Sequence, residues 1–357
     1  MNSSPLPDRR FWEGRSVLVT GHTGFKGGWL TTWLKLLGAK VVGYGLPPAG
    51  ERSFYRAAAV GEGIEERFGD ICDLQAVAAV IGETKPQTVF HLAAQPLVLA
   101  GYQRPHQTFA VNVLGTANVL EAAGEWGTAE VVVVTSDKCY LPKADRPHRE
   151  GDPLGGHDPY SASKAGAELV VEGYRGVFRQ RNGGPRLATA RAGNVIGGGD
   201  FTASRLLPDL VLAARQGRPV TLRRPEAVRP WQHVLSPLLG YLLLAERLAG
   251  SERFEGGWNF GPLDGEVATV GEVVERVAAL LPWPLQVEVG SAQSGEDGYL
   301  ALDSAKAQRE LGWQPPLGLG DALRLTVDWY REFFAGGEMA TVCRQQIETF
   351  CSLTAGA

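Results

Sequence analysis

The stretch SVLVTGHTGFKGGWL, residues 16–30, constrains the fold more than any other part of the chain. A short apolar run ends in glycine, and Gly21, Gly24 and Gly27 then recur in a GxxGxxG spacing before a helix-forming segment opens. Such a turn lets backbone approach a pyrophosphate while amides at a helix N-terminus face the anion. Three glycines by themselves also fit a tight turn packed on a sheet. Their position between a strand and a helix is what turns the reading towards a dinucleotide. The candidate contacts there are Gly21, Thr23, Gly24, Phe25 and Gly27.

Downstream, apolar strand signals alternate with helical ones. KVVGYGL, IEERFGD, TVFHLAA, AEVVVVTS and RLATARAGN read as strands, and the spacing predicts one long helix over Thr108–Trp126 and another from Pro159. Near-continuous apolar strands separated by helices imply a parallel sheet covered on both faces. The fold class is therefore α/β, a Rossmann-type doubly wound sheet with a smaller, mostly irregular and helical C-terminal substrate domain. The expected division is residues 14–193 plus 232–262 for the dinucleotide-binding domain, interleaved with 194–231 and 263–345 for the substrate domain.

Charge and cysteine usage exclude several classes. A formal charge of −4 argues against a general nucleic-acid or anionic-membrane surface. Cys72, Cys139, Cys343 and Cys351 are scattered without CxxC or His spacing, so neither a metal site nor a disulfide framework is expected. The N-terminal segment has no apolar core of the signal-peptide kind, and no apolar run is long enough to span a bilayer. A cytoplasmic protein is the expectation.

The second strand ends in VVGYGLPPAG, without the acid that usually holds an adenosine ribose. No arginine stands beside it for a 2′-phosphate, so NAD is favoured while NADP stays open. Asp70 and Ile71 stand where adenine could be met, and Leu92, Ala93 and Ala94 offer small residues after the fourth strand.

DPYSASKAGAEL carries Tyr160 and Lys164 at i and i+4, one turn apart on one helix face. An ammonium near a phenol favours phenolate and lowers its pKa. Alone, YxxxK is common and usually a solvated helix surface. A second oddity is VVVVTSDKCY, where Asp137 and Lys138 follow a buried strand side by side. They are either a structural ion pair or an acid and a base for one reaction.

Together GHTGFKG, HLAAQ, NVLGT, YSASK, NFG and LGWQPPLGLGDAL resemble the extended short-chain dehydrogenase/reductase family over nearly the whole chain. Within it, GHTGFKGGWL, TSDKCY, ARAGNVIGGGD and RPWQHV look most like the nucleotide-sugar 4,6-dehydratases that act on CDP-glucose. The resemblance implies NAD as cofactor and catalysis by Ser136, Asp137, Lys138, Tyr160 and Lys164. Tyr160 would take the C4 hydroxyl proton, Ser136 would hold the C4 oxygen, Asp137 would protonate the departing C6 hydroxyl, and Lys138 would remove the C5 proton. Lys138 would need a depressed pKa, and Asp137 a raised one. Implied substrate contacts are Gln95, Asn194, Arg205, Leu206, Arg223, Arg229, Asn259 and Glu296. Guanidinium groups suit a nucleoside diphosphate. Ser204 and Gly295 depart from the family pattern at the nucleotide end. An epimerase on the same fold is the alternative, as are other nucleotide donors. Family members commonly pair through the helices covering Thr108–Trp126 and Tyr160–Arg181, so a homodimer or a dimer of dimers is expected.

Overall fold

A computed structural model describes residues 5–48, 50–142, 146–262, 268–290 and 300–356. Six strands come first along the chain: β1 (Ser16–Thr20), β2 (Lys40–Gly45), β3 (Glu65–Phe68), β4 (Thr88–His91), β5 (Glu130–Val134) and β6 (Arg186–Ala192). The chain then leaves the sheet. It forms β7 (Val195–Ile196), β8 (Pro219–Leu222), β9 (Val228–Arg229) and β10 (Gln232–His233) before β11 (Gly256–Phe260) returns to lie beside β6. The sheet is parallel throughout, in the order β11-β6-β5-β4-β1-β2-β3. Order reverses between β1 and β4, and in open α/β sheets the crevice beyond the strand ends at such a switch receives the ligand.

The central strands are apolar because both faces are covered. All of β4 and β5 is buried. Glu130 opens β5 inside the core, and Thr88 donates to its carboxylate at 2.5 Å while Arg15 forms an ion pair with it. One face packs Trp29, Trp33 and the leucine-rich helix Leu235–Gly250. The other packs Val77, Ile81, Val119, Leu120 and Val171 from three further helices. Full burial of each such side chain stabilises by about 1.5–3 kcal/mol.

The helix expected over Thr108–Trp126 is not uniform. An α-helical turn, Pro105–Phe109, passes into a π-helical segment, Ala110–Leu114, and then an α-helix, Gly115–Glu125. The wider turn brings Asn112 inward, where its carboxamide takes the Gln95 N–H (2.8 Å) and donates to Gln95 O (3.1 Å) and Ser163 Oγ (2.8 Å). π-Segments cluster at functional sites, and this one ties the strand-end loop to the helix carrying YxxxK.

Outside the sheet, β7 lies parallel to β10; β12 (Ala268–Thr269) is antiparallel to β9; β13 (Gln286–Val289) is parallel to β8. The C-terminal helix, Met339–Gly356, returns to the glycine-loop helix, Phe25–Leu36, where the rings of Phe350 and Trp33 meet edge-on at 5.6 Å. Among the described residues, no helix is long and apolar enough to cross a membrane.

Candidate active site

The glycine turn is closed as tightly as the spacing requires. Gly21 has φ +76°, and a Cβ there would stand 2.7 Å from the Ala93 nitrogen. A Cβ on Gly27 would stand 2.1 Å from the Gly21 carbonyl oxygen. A side chain at either position would force the turn away from its neighbours at the ends of β1 and β4. Gly24 caps the helix Phe25–Leu36 without a side-chain hydrogen bond, leaving the helix N-terminus open to an anion. That cradle fits a dinucleotide pyrophosphate.

The other cofactor candidates divide. Thr23 donates its hydroxyl to Leu46 O at 2.9 Å, so it shapes the loop. Leu92 and Ala93 direct their amides to Thr20 Oγ1 at 3.1 and 3.2 Å, which draws the HLAAQ loop onto β1, and Ala94 follows half-buried. Asp70 is exposed and caps the Cys72 amide (2.9 Å) through one oxygen. Ile71 is buried against the bare Cα of Gly115, and its carbonyl accepts from Asn118. The Ile71 side chain therefore belongs to the core, a correction to the adenine contact expected of it. The missing ribose acid has a neighbour: Glu66 on β3, which binds His22 Nε2 (2.9 Å) and the Tyr55 hydroxyl (2.8 Å).

The catalytic candidates converge on one floor. Asp158 caps the helix Pro159–Gln180 by accepting the amides of Tyr160 (2.9 Å) and Ser161 (3.0 Å), which fixes where the first turn begins. Tyr160 and Lys164 are both buried. Burial pushes the Tyr160 phenol up to about 12, against the pull of the Ser136 hydroxyl bonded to it. This corrects the expectation that Lys164 leaves the phenol acidic: desolvation outweighs the other influences on it. Lys164 donates to Val134 O at 3.3 Å, and burial brings its pKa down to about 8 despite Glu168.

After β5 the chain makes a single 3₁₀ turn, Asp137–Cys139, capped by Ser136. Ser136 Oγ donates to Asp137 Oδ1 at 2.8 Å and accepts from the Lys138 amide at 3.2 Å. Asp137 is only 3 % exposed, and its Oδ2 is buried without a hydrogen-bond partner among the described residues. Burial raises its pKa, opposed first by Lys138. An orphaned carboxyl oxygen of this kind favours the protonated acid. Lys138 is half-buried, and its ammonium makes no hydrogen bond among the described residues. Cys139 and Tyr140 are buried in the packing behind it.

Lys26 was missed by sequence reasoning. It is the second residue of the glycine-loop helix and donates to the Tyr241 hydroxyl at 3.4 Å. Burial, with Arg205 and Lys164 near, lowers its pKa to about 7, while Asp137 pulls upward. A lysine inside the glycine turn of a buried helix was the available signal.

The substrate candidates are unequally placed. Asn194 stands at the exit of β6, half-buried, with no side-chain hydrogen bond among the described residues. Arg205 pairs with Asp200 at 3.1 Å and lies close enough to influence both Lys26 and Tyr160. Leu206 begins the helix Leu206–Gln216. Arg223 is exposed after β8, and Arg229 in β9 donates to the Val228 carbonyl at 3.0 Å. Two of the candidates have their side chains engaged within the protein. Gln95 spends its carboxamide on Thr108 Oγ1 (2.9 Å) and the Leu97 amide (2.5 Å). Asn259 is fully buried, accepting from Tyr140 Oη (2.7 Å) and donating to His148 O (2.9 Å) and Asp303 O (3.2 Å). Gln95 thus braces the strand-end loop against Thr108, and Asn259 ties Tyr140 to the backbone at 148 and 303. Glu296 and Gly295 lie outside the described residues. No group of His, Cys, Asp and Glu able to hold a metal occurs among the described residues.

Comparison with known proteins agrees with this geometry. Residues 17–255 match the model of the NAD dependent epimerase/dehydratase family. The chain is 41% identical to the CDP-glucose 4,6-dehydratase of Salmonella typhimurium, covering 97% of this chain and 99% of that enzyme. It is 31% identical to the dTDP-glucose 4,6-dehydratase of Streptomyces griseus, over 74% and 76% of the two chains. Among solved structures, a double mutant of DesIV, the dTDP-glucose 4,6-dehydratase of Streptomyces venezuelae with NAD bound, superposes with a TM-score of 0.76 at 28% identity, covering 91% and 99%. The sheet order, the glycine cradle and the buried Tyr160–Lys164 pair are thus those of a chain that belongs to the NAD-dependent epimerase/dehydratase family.

Proposed function

We propose that this protein is a nucleotide-sugar 4,6-dehydratase that converts CDP-glucose to CDP-4-keto-6-deoxyglucose. The observation that carries the reading is Asp137: a buried carboxyl with an unpartnered oxygen, raised pKa and a lysine next in sequence, beside Ser136 and Tyr160. Epimerisation at C4 has no use for such an acid. The near full-length identity to the Salmonella enzyme supports CDP-glucose as the donor.

NAD, when bound, accepts the C4 hydride and later returns it at C6. Tyr160 takes the C4 hydroxyl proton, and Ser136 holds the C4 oxygen. The positive charge that oxidised nicotinamide would bring beside the phenol opposes the desolvation that raises its pKa, as Arg205 does within the protein. The C4 ketone acidifies the C5 hydrogen, which Lys138 removes as a proton. Asp137 gives its proton to the C6 hydroxyl, which departs as water. Lys138 then returns a proton to C5, Tyr160 releases to solvent the proton it took from the C4 hydroxyl, and Asp137 is reprotonated from solvent. Arg205, Arg223, Arg229 and Asn194 supply the charge and amide for a diphosphate.

The helices around the π-segment expose Leu99, Tyr102, Phe109, Leu114 and, across from them, Leu169 at 41–64 %. This apolar stripe supports a homodimer, whose second copy would cover it. Four free cysteines accord with a reducing cytoplasm.

The test is incubation of the protein with CDP-glucose, dTDP-glucose, UDP-glucose and GDP-mannose in turn, with NAD. Dehydration is read by mass spectrometry and by the alkali-induced absorbance of the 4-keto sugar. Dehydration of CDP-glucose is expected. Dehydration of another donor alone would refute the base selectivity, and exchange at C4 without loss of water would make the protein an epimerase.

A further inference from the structure

Behind the acid–base turn lies a buried polar group that the proposed chemistry does not use. Glu168 sits one turn beyond Lys164 on the same helix face and is 5 % exposed. Its Oε1 accepts from Thr135 Oγ1 (2.5 Å) and Arg191 Nε (2.9 Å). Its Oε2 accepts from Thr189 Oγ1 (2.7 Å) and Arg191 Nη2 (2.6 Å). Four donors on one buried carboxylate satisfy its lone pairs as fully as a protein can.

Arg191, also 5 % exposed, carries the link onward. Its Nη1 donates to Tyr140 Oη at 2.7 Å and to Glu150 O at 3.0 Å, and its guanidinium lies 5.1 Å from the Tyr140 ring centroid. Tyr140 is stacked on His148 at 4.7 Å with planes 3° apart, and its hydroxyl is bonded to Asn259. Thr135 precedes Ser136-Asp137-Lys138, and Tyr140 follows Cys139. The ion pair on the YxxxK helix therefore grips the acid–base turn at both ends.

We infer that Glu168, through Arg191, is a positioning residue that holds the Ser136–Lys138 turn in register with Tyr160 and Lys164. The inference rests on the dehydratase reading for its effect on the elimination step. A buried ion pair is poor evidence of net stability, since apolar residues often do as well. What it supplies here is directional: two oxygens and three nitrogens fix one loop against one helix. Reacting groups displaced by about 1 Å lose on the order of 10²-fold in rate.

The test uses Glu168→Gln, which keeps shape and removes charge, and Tyr140→Phe, which removes a single hydroxyl and leaves the Glu168–Arg191 pair whole. Both are compared with wild type for KM, kcat of dehydration and single-turnover oxidation at C4. The expected result is a kcat for dehydration about 10²-fold lower with KM within about twofold, because binding groups lie elsewhere while the turn loses its register. Folded variants that dehydrate at the wild-type rate overturn the inference, as do variants whose KM rises while kcat holds. If Glu168→Gln fails to fold, Tyr140→Phe decides. If wild-type protein oxidises C4 without dehydrating, the dehydratase reading fails alone. The positioning role is then judged on C4 oxidation, since Ser136 belongs to the same turn, and an unchanged rate overturns it.

Discussion

Lys138→Met isolates the proton transfer at C5. The ammonium of Lys138 makes no hydrogen bond among the described residues, so its removal orphans no partner. Asp137 does feel the change: Lys138 is the strongest influence opposing the upward shift of its pKa, so the variant's carboxyl holds its proton more firmly. The acid therefore stays in place and only the base is lost. A positioned general base contributes roughly 10²–10⁴-fold. At about 1.36 kcal/mol per tenfold, that is about 2.7–5.5 kcal/mol on the elimination barrier. Global stability should change by no more than about 0.5 kcal/mol, because the side chain is half-exposed and unbonded. The assay is a single turnover with CDP-glucose deuterated at C4, following the near-ultraviolet absorbance of reduced nicotinamide alongside product. Reduced cofactor should accumulate while 6-deoxy product forms at least about 10²-fold more slowly. Product at a rate within about threefold of wild type would refute Lys138 as the C5 base.

Three further outcomes are expected. Gly27→Ala places a Cβ 2.1 Å from the Gly21 carbonyl oxygen, so the turn must open, and calorimetric NAD affinity should fall about 10-fold or more; unchanged affinity would place the dinucleotide elsewhere. Glu246 accepts from Trp12 Nε1 (2.6 Å) and the Asp8 amide (2.8 Å), and burial raises its pKa from 4.5 to about 7. A raised carboxyl contributes stability below its unfolded pKa and loses it as pH climbs through the folded value, so Glu246→Gln should raise Tm above neutrality but not in acid; a lower Tm at alkaline pH would contradict the assigned cause. Leu169→Glu combined with Tyr102→Glu should convert a sedimenting dimer to monomer, and a wild-type monomer would remove the stripe's assigned occupant.

Five of the first six strands were legible from apolar residues bounded by a glycine or a helix, and β3, the polar and largely exposed EERF, from its place between two helical segments and the Gly69-Asp70 pair that ends it. β11 was not legible as a strand: Gly256-Gly257 leaves only Trp258, Asn259 and Phe260 with any side-chain preference, and β6 imposes the extended form by offering its edge. The π-segment left no trace either, since its sequence AVNVL reads as ordinary helix. At the site, Ser136, Asp137 and Tyr160 came together from elements that the sequence already marked. The engagement of Gln95 and Asn259 within the protein was not legible, because a carboxamide serves a ligand or a backbone carbonyl equally well, and only the neighbouring chain decides. Lys26 shows the converse: a residue embedded in a glycine motif was read for its glycines.

The return of β11 to the sheet bears on how the protein is made. On the ribosome, β6 emerges with one edge open and stays so until residue 260 has cleared the exit tunnel, with β7 and β10 already able to pair while β8 and β9 still await β13 and β12. The short N-terminal helix Arg9–Trp12 faces a similar wait, since Trp12 and the capping Asp8 are anchored by Glu246. A nascent chain that has finished every glycine, tyrosine and lysine of the cofactor half is thus still an unclosed sheet with an exposed strand edge, a form prone to aggregate. Translational pausing after β6 would prolong that exposure, and a nonsense truncation between 193 and 255 would make it permanent.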